Sequence, residues 1–267
     1  MRKVYFILLV VMLGCISCEW QFKSPEEEDK VIVVDRYDRV QSLYLTTGDF
    51  SALQQMNTAY PMQTRTLIED VLRIGKVDDQ EINTKFLHFF QDSTLQALIA
   101  ESELQYANMD DVSGQLTEAF HYLREQLPNL ELPSVYAQIG SLDQSIIVGN
   151  NTIGICLDKY LGADYPLYQR SDYGYTPEQL QMMARHYIVP DCVSFYLLSL
   201  YPMPKDRPLS QQERDIHIGK IQWVVNKAMG EEVFHTSYVK TIDRYMRQHQ
   251  QATVAQLLGN NHYADFQ

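Results

Sequence analysis

Positive charge is scarce in this sequence, and it is not clustered. The 267 residues contain 22 Lys and Arg against 34 Asp and Glu, so the formal net charge is −12. No run of five or more basic residues occurs. Because nucleic acids and anionic membrane surfaces are bound through clustered Lys and Arg, the composition argues against both as partners. A hydrophobic content of 45% and a charged content of 21% are ordinary for a globular protein.

The N-terminal hydrophobic run is too short to span a membrane. Residues 4–14 follow Arg2 and Lys3 and would cover roughly 16 Å as a helix, against a bilayer core of about 30 Å. A basic start, a short apolar run and small residues before a cleavage point are typical of a secretory signal peptide. The sequence therefore predicts export.

Cysteine is rare, with four in the whole chain. Two of them, Cys15 and Cys18, end the apolar run, and each follows a small residue, as in a bacterial lipobox. We predict lipidation at Cys18, with Cys15 as the alternative, and an ordinary signal peptide as the other interpretation. Acyl chains would then hold the protein on the membrane. The predicted organisation is a lipoprotein signal peptide at residues 1–18, a flexible acidic tether at 19–30 and one mostly helical domain at 31–267, located in the cell envelope at the outer membrane.

The two cysteines of the mature chain, Cys156 and Cys192, are too few for a disulfide framework. Both lie in apolar surroundings, so one disulfide and two buried free thiols are alternatives. Neither has the spacing of a metal site.

The catalytic motifs that short patterns can identify are absent. The chain has no G-x-S-x-G elbow, no Walker loop and no G-x-G-x-x-G. The closest approach to the zinc motif HExxH runs from His186 to Pro190, where Tyr replaces the glutamate and Pro replaces the second histidine. A zincin needs both histidines on one helical turn and the glutamate as base. We therefore predict no enzymatic activity, no cofactor and no metal site.

A metal-dependent hydrolase with atypical ligands is the alternative. Its ligands would be His186 and His217 with Glu213 or Asp191, brought together by a pair of helices. In the structural interpretation, His186 is a half-buried histidine and Asp191 caps a helix. Similarly, Asp158 and Asp191 are either paired carboxylates for acid–base chemistry or structural, with Asp158 ending a strand.

Helical periodicity dominates the first half of the chain, and short Val-, Ile- and Tyr-rich runs follow Pro128. These runs, separated by Gly, Asn and Asp, predict a small antiparallel sheet around residues 134–157. The Thr176-Pro177-Glu178-Gln179 segment predicts a capped helix start, and Pro190 should break or kink that helix. The expected fold class is α+β and mostly helical.

A tyrosine-rich loop follows the predicted sheet, with five of the 18 tyrosines between Tyr160 and Tyr175. Tyrosine gives a large, stiff contact area with a polar tip, which suits recognition of a protein or a carbohydrate. The competing interpretation is packing of the rings over the sheet. We expect Tyr160 to be buried. Tyr165, Tyr168 and Tyr173 are expected at the surface. The candidate partner-binding residues are Asp158, Tyr160, Gly162, Tyr165, Pro166, Tyr168 and Tyr173.

Four segments of the chain share the pattern of one known family. They are VDRYDRVQSLYL at residues 34–45, the block Leu157-Asp158-x-Tyr160-Leu161-Gly162, Ile188-Val189-x-Asp191, and Gly219-Lys220. These segments resemble the lipoprotein family of gliding motility protein B, and the LD-x-YLG block is the most specific of them. The resemblance implies an envelope lipoprotein associated with gliding machinery and its coupled secretion apparatus, with no enzymatic activity. It also implies a zincin-like fold without the HExxH motif.

The expected function is a non-catalytic accessory or binding component of the cell envelope. It would bind an envelope protein or a cell-wall component through the tyrosine-rich loop and the sheet edge. The first alternative is the metal-dependent hydrolase, and the second is a carbohydrate-binding lipoprotein.

Overall fold

A computed structural model describes residues 30–266. The predicted signal peptide, both candidate lipidation sites and the tether up to residue 29 lie outside these described residues. From Val31 onward the chain packs as one unit. Among residues 30–266, no helix is both long enough and apolar enough to cross a membrane.

One four-stranded sheet organises the fold. Its strands are β1 (Val34–Asp35), β2 (Ser134–Gln138), β3 (Ile146–Gly149) and β4 (Thr152–Cys156). Their spatial order is β1-β2-β4-β3. β1 pairs with β2 and β2 pairs with β4 in parallel, whereas β3 and β4 are antiparallel.

The α+β, mostly helical fold class is confirmed, but the sheet at residues 134–157 is mixed rather than antiparallel. The difference follows from the order of the strands. β3 and β4 are joined by a short hairpin at Asn150 and Asn151, so these two strands must be antiparallel. β4 then lies between β3 and β2, and after two reversals of the chain it runs in the direction of β2. β1 has two residues and is too short for its periodicity to be detected in the sequence.

Helices fill the chain between β1 and β2. They are α1 (Tyr37–Thr47), α2 (Phe50–Thr58), α3 (Pro61–Thr66), α4 (Ile82–Phe89), α5 (Ser93–Gln105) and α6 (Asp110–Gln126), with a π-helical turn at Leu67–Val71. Residue type explains several of the ends. Asp49 and Asp92 accept hydrogen bonds from backbone amides at the starts of α2 and α5. α1 ends at Gly48, whose φ of 71° is the left-handed conformation that favours glycine.

The chain after β4 is also helical. It contains α7 (Pro177–Met182), α8 (Ile188–Leu200), α9 (Gln211–Met229), α10 (Ser237–Gln248) and α11 (Val254–Gly259), with 3₁₀ turns at Leu157–Lys159, Arg185–Tyr187 and Tyr263–Phe266. The predicted cap at Thr176 is confirmed, because its side chain accepts from Gln179 N and the Gln179 side chain accepts in return. Pro190 does not break a helix. It lies in the first turn of α8, where a missing N–H costs no intrahelical bond.

The outer edge of β1 is covered by α6. The N–H of Ile32 donates to Thr117 Oγ1 at 3.0 Å, and the N–H of Val34 donates to Ser113 Oγ at 3.2 Å. An edge strand with free N–H groups can pair with a strand of another chain. Since two hydroxyls of α6 already accept these bonds, β1 does not offer a free edge. The opposite edge of the sheet is β3, and contact of a partner with that edge stays a prediction.

Candidate functional site

Asp158 lies in a buried polar cluster just after β4. The 3₁₀ turn Leu157–Lys159 carries it, and the residue is 0% exposed. One carboxylate oxygen accepts from Gly140 N and the other from Leu142 N, both at 2.6 Å. Burial raises the pKa of Asp158, and these two amide donors act against the rise.

The loop that Asp158 holds has a strained backbone. Ser141 and Leu142 have φ values of 59° and 69°, a left-handed region that residues other than glycine rarely adopt. The carboxylate accepts the N–H groups on both sides of Ser141, so it stabilises the connection between β2 and β3. This geometry supports the structural interpretation of Asp158.

Tyr160 connects the cluster to the start of α8. It is 1% exposed, as expected, and its hydroxyl donates to Asp191 Oδ2 at 2.7 Å. Burial raises the pKa of Asp191 to about 7, and the hydrogen bond from Tyr160 opposes the rise. Asp191 is not the helix cap that the sequence predicted, because it lies inside the first turn of α8 and Tyr187 occupies the cap position.

Two more tyrosines bind the backbone of the LD-x-YLG block. The Tyr168 hydroxyl donates to the carbonyl of Asp158 and accepts from Leu161 N. The Tyr106 hydroxyl donates to the carbonyl of Tyr160. Tyr168 is therefore 1% exposed, and its predicted position at the surface is wrong.

Lys159 holds the far end of the tyrosine-rich loop. Its Nζ donates to the carbonyl of Leu142 at 2.9 Å and to the Tyr175 hydroxyl at 2.7 Å. The Tyr175 ring stacks on the Tyr173 ring, with centroids 5.9 Å apart and an angle of 4° between the planes. Tyr173 is 38% exposed, so its predicted position at the surface is confirmed.

The outer side of this loop forms a cleft against α5. Tyr165 packs edge-on against Tyr168, with centroids 5.1 Å apart, and the neighbouring Pro166 is exposed. Arg170 forms an ion pair with Asp172 at 2.7 Å. We define the loop cleft as the cavity of about 360 Å³ that is lined by Ser93, Thr94, Ala97, Tyr165, Pro166, Leu167 and Arg170.

The predicted partner-binding residues thus fall into two groups. The buried group is Asp158, Tyr160 and Tyr168. These residues hold the loop from inside, so a partner does not touch them, and their assignment as contact residues is corrected. The group at or near the surface is Gly162, Tyr165, Pro166 and Tyr173. Their contact with a partner stays a prediction.

The alternative metal ligands are not brought together. His186 is exposed rather than half-buried. His217 is buried, with one ring nitrogen 3.0 Å from a tyrosine hydroxyl and the other 3.0 Å from a backbone carbonyl. Glu213 is the third residue of α9, where its side chain accepts from Ser210 N in a capping box, and it pairs with Arg207 at 2.7 Å. Within residues 30–266, no group of three or more His, Cys, Asp or Glu side chains is placed to hold a metal ion.

The two cysteines of the described chain are buried free thiols. Burial raises the pKa of both thiols. The Cys156 Sγ accepts from Gln138 Nε2 at 3.4 Å. Of the two alternatives for Cys156 and Cys192, the structure contains the unpaired thiols.

Sequence reasoning missed the α5 side of the loop cleft. Ser93, Thr94 and Ala97 carry no motif that relates them to a loop so far along the chain, and a single sequence gives no signal for such a contact.

It also missed the role of Lys220, which is 0% exposed. Its Nζ donates to the carbonyls of Leu258 at 3.2 Å and Asn260 at 2.7 Å. A signal was present here, because Lys220 falls on the same helical stripe as Ile221 and Val224.

Comparison with known protein families gives a match over most of the chain. Residues 21–237 match the family described as gliding motility protein GldB. No curated protein and no solved structure matches the chain, so the zincin-like arrangement stays a prediction. The match covers most of the chain and includes the LD-x-YLG block and its buried cluster. The chain therefore belongs to the family of gliding motility protein GldB, whose members are lipoproteins of the cell envelope.

Proposed function

We propose that this chain is a lipid-anchored, non-catalytic component of the outer membrane that binds another envelope protein of the gliding machinery or of its coupled secretion apparatus. The binding surface is the loop cleft together with Tyr173. The anchor is a lipid on Cys18.

One observation carries the proposal: the most distinctive sequence block holds a surface loop in place. Asp158, Tyr160 and Tyr168 bind backbone or buried groups. The loop that they fix presents Tyr165 and Pro166 on its outer side. A preorganised loop loses less conformational entropy on binding than a flexible one. Buried hydrogen bonds that fix this loop therefore favour a role in recognition.

The two carboxylates considered for acid–base chemistry, those of Asp158 and Asp191, form hydrogen bonds inside the protein. The carboxylate of Asp158 accepts two backbone amides, and that of Asp191 accepts the Tyr160 hydroxyl. Both acids are at least nine-tenths buried, so a substrate at the surface would not reach them. This favours binding over catalysis.

The chemistry of the loop cleft indicates the partner. Tyr and Pro offer stiff apolar contact at the centre of an interface, and the hydroxyls of Ser93 and Thr94 add hydrogen-bonding groups. Arg170 lines the cleft and is paired with the exposed Asp172. We therefore expect a partner with an apolar anchor side chain and hydrogen-bonding groups around it.

The test is complementation of a deletion strain. A Tyr165→Ala, Arg170→Ala double variant removes the aromatic wall and the cation of the cleft, and an exposed ion pair contributes at most about 1 kcal/mol to stability. We expect normal protein levels but reduced colony spreading. Phe50→Ala, at a side chain that is 76% exposed on α2, is the matched control and should spread normally. Full spreading by the double variant would refute the proposed site.

Photo-cross-linking identifies the partner in the same cells. A photoreactive residue at position 166 should capture one envelope protein, whereas the same residue at position 50 should not. Capture of the same protein from both positions, or of none, contradicts binding at the loop cleft.

Elemental analysis addresses the non-catalytic part of the proposal. The full-length protein, purified without chelator or affinity-tag metal, should contain well under one zinc per chain. One zinc per chain in the native protein, and its loss in His186→Ala, would favour the metal-dependent hydrolase over the non-catalytic binding role.

A further inference from the structure

A second cavity lies at the C-terminal end of the described chain. It occupies about 290 Å³ between α9, α10 and the last 3₁₀ turn. Its lining consists of Gln212, Ile216, Tyr238, Thr241, Arg244, Tyr245, Gln248, Asp265 and Phe266. We call it the C-terminal cavity. Since the family match ends at residue 237, most of this lining lies beyond the part of the chain that the family accounts for.

The buried side of α9 builds this cavity. Gly219 allows α10 to approach closely, because a Cβ on it would lie 2.8 Å from Tyr238 Cβ. The next residue, Lys220, donates to the carbonyls of Leu258 and Asn260. These contacts hold the C-terminal segment against α9 and α10, so the cavity has fixed walls.

Arg244 is an exposed residue that lines the cavity without a partner from the described chain. Among residues 30–266, it is the arginine that has neither an ion pair nor a hydrogen bond. The neighbouring Arg247, for comparison, pairs with Asp243 at 2.7 Å. A guanidinium is a planar fork that matches a carboxylate, so an unpaired one in a cavity points to an anionic group of a ligand.

The other lining groups suit a ligand with many hydroxyls. The side chains of Gln212, Thr241 and Gln248 make no hydrogen bond within residues 30–266, which leaves amide and hydroxyl groups available on several sides. The Tyr238 ring packs against no other aromatic ring in the same range. An unstacked tyrosine presents an apolar face with a polar tip.

We propose that the C-terminal cavity binds a single acidic sugar unit of a surface glycan. Tyr238 contacts the C–H face of the ring, the amides and the threonine hydroxyl bind its hydroxyls, and Arg244 pairs with its carboxylate. The volume of about 290 Å³ lies at the lower end of the range for ligand pockets, which fits one unit rather than a chain. Asp265 also lines the cavity, but within residues 30–266 it forms no ion pair with Arg244, and its Oδ2 accepts from Asn260 Nδ2 at 3.0 Å.

The experiment is a ligand-observed NMR titration of the full-length protein in detergent with D-glucuronic acid. D-glucose is the uncharged analogue, and acetate is the carboxylate without a sugar. We expect millimolar binding of glucuronate, with glucose about tenfold weaker, since a charge-assisted pair contributes on the order of a factor of ten. Arg244→Gln should weaken glucuronate about tenfold and leave glucose unchanged.

Two further variants keep the result interpretable. Arg247→Gln, one turn along the same helix, is the matched control and should bind both sugars as the native protein does. Tyr238→Leu should weaken both sugars, at an unchanged melting temperature. The proposal is overturned if neither sugar binds, if acetate binds as tightly as glucuronate, or if Arg244→Gln and Arg247→Gln behave alike.

A last comparison separates the sources of the sugar. Purified capsular polysaccharide and purified lipopolysaccharide from the same cells should each be tested as competitors of glucuronate. Competition by either material supports the proposal and identifies its source, and competition by neither overturns it.

Discussion

The free energy of unfolding should rise as the pH increases from neutral to mildly alkaline, because Lys220 is buried. Its side chain is 0% exposed, and burial lowers the pKa of Lys220 from 10.5 to about 8. Between these two values the unfolded chain holds a proton that the folded chain has lost. Stability rises with pH wherever the unfolded state binds more protons, so the free energy of unfolding should increase through this window.

The size of the effect follows from the two pKa values. One unit of difference corresponds to about 1.4 kcal/mol. Between about pH 7 and about pH 9.5 the change in proton binding at Lys220 should add about 1–2 kcal/mol to the free energy of unfolding. Other groups titrate as well, so the informative quantity is the difference between the native protein and Lys220→Met, which has a side chain of similar length and no ionisable group.

Urea unfolding, followed by tryptophan fluorescence, measures this difference at each pH. The native protein should gain stability relative to Lys220→Met by about 1–2 kcal/mol over the window. Lys240→Met replaces an exposed lysine of α10 and is the control, for which we expect no such change. If the native protein and Lys220→Met show the same pH dependence, the reasoning about the buried amine is refuted.

Three further contacts can be tested by urea unfolding. Asp158→Ala leaves two buried amides without an acceptor and should lower the free energy of unfolding by about 2–5 kcal/mol; a smaller loss would mean that water replaces the carboxylate. Asp191 has a pKa of about 7 in the folded protein, so the native protein should lose stability as the pH rises towards that value. Asp191→Asn lacks this acid. The free energy of unfolding of the variant, relative to that of the native protein, should therefore rise by about 2 kcal/mol between about pH 5 and about pH 7.5. A constant difference would contradict that pKa. Gly219→Ala should cost about 1–3 kcal/mol because its Cβ would meet Tyr238, although helix propensity alone favours alanine. Gly114→Ala, with open space around it, is the control and should gain about 0.5–1 kcal/mol; a gain at Gly219 would contradict the close packing.

Short-range signals predicted the local structure well. The Thr176 capping box forms as expected, because all of its hydrogen bonds lie within a few residues. Strands β2, β3 and β4 were also found in the right part of the chain, whereas the two-residue β1 was not predicted. The parallel pairing of β2 with β4 was not predicted either, since the placement of β4 between β2 and β3 depends on contacts that no local pattern records. The effect of Pro190 was also mispredicted, because a proline is tolerated in the first turn of a helix and the sequence did not show that α8 begins at Ile188.

Exposure of the loop tyrosines was predicted with mixed success for a related reason. Tyr168 and Tyr173 occur in similar polar sequence, yet one is 1% exposed and the other 38%. The difference is the hydroxyl of Tyr168, which bonds both to the carbonyl of Asp158 and to Leu161 N. Those groups are freed by the turn after β4, so the burial of Tyr168 could be predicted only once the path of the backbone was known.

The residues that make this chain recognisable are therefore not the residues that a partner would touch. Asp158 and Tyr160 lie under the loop, so a substitution there would disturb the loop and partner binding together. Loss of motility in such a variant would not locate a binding surface. Substitutions at Tyr165 in the loop cleft or at Arg244 in the C-terminal cavity change surface chemistry while the buried hydrogen bonds remain. Only variants of this second kind, at an unchanged melting temperature, can separate what the protein binds from how it folds.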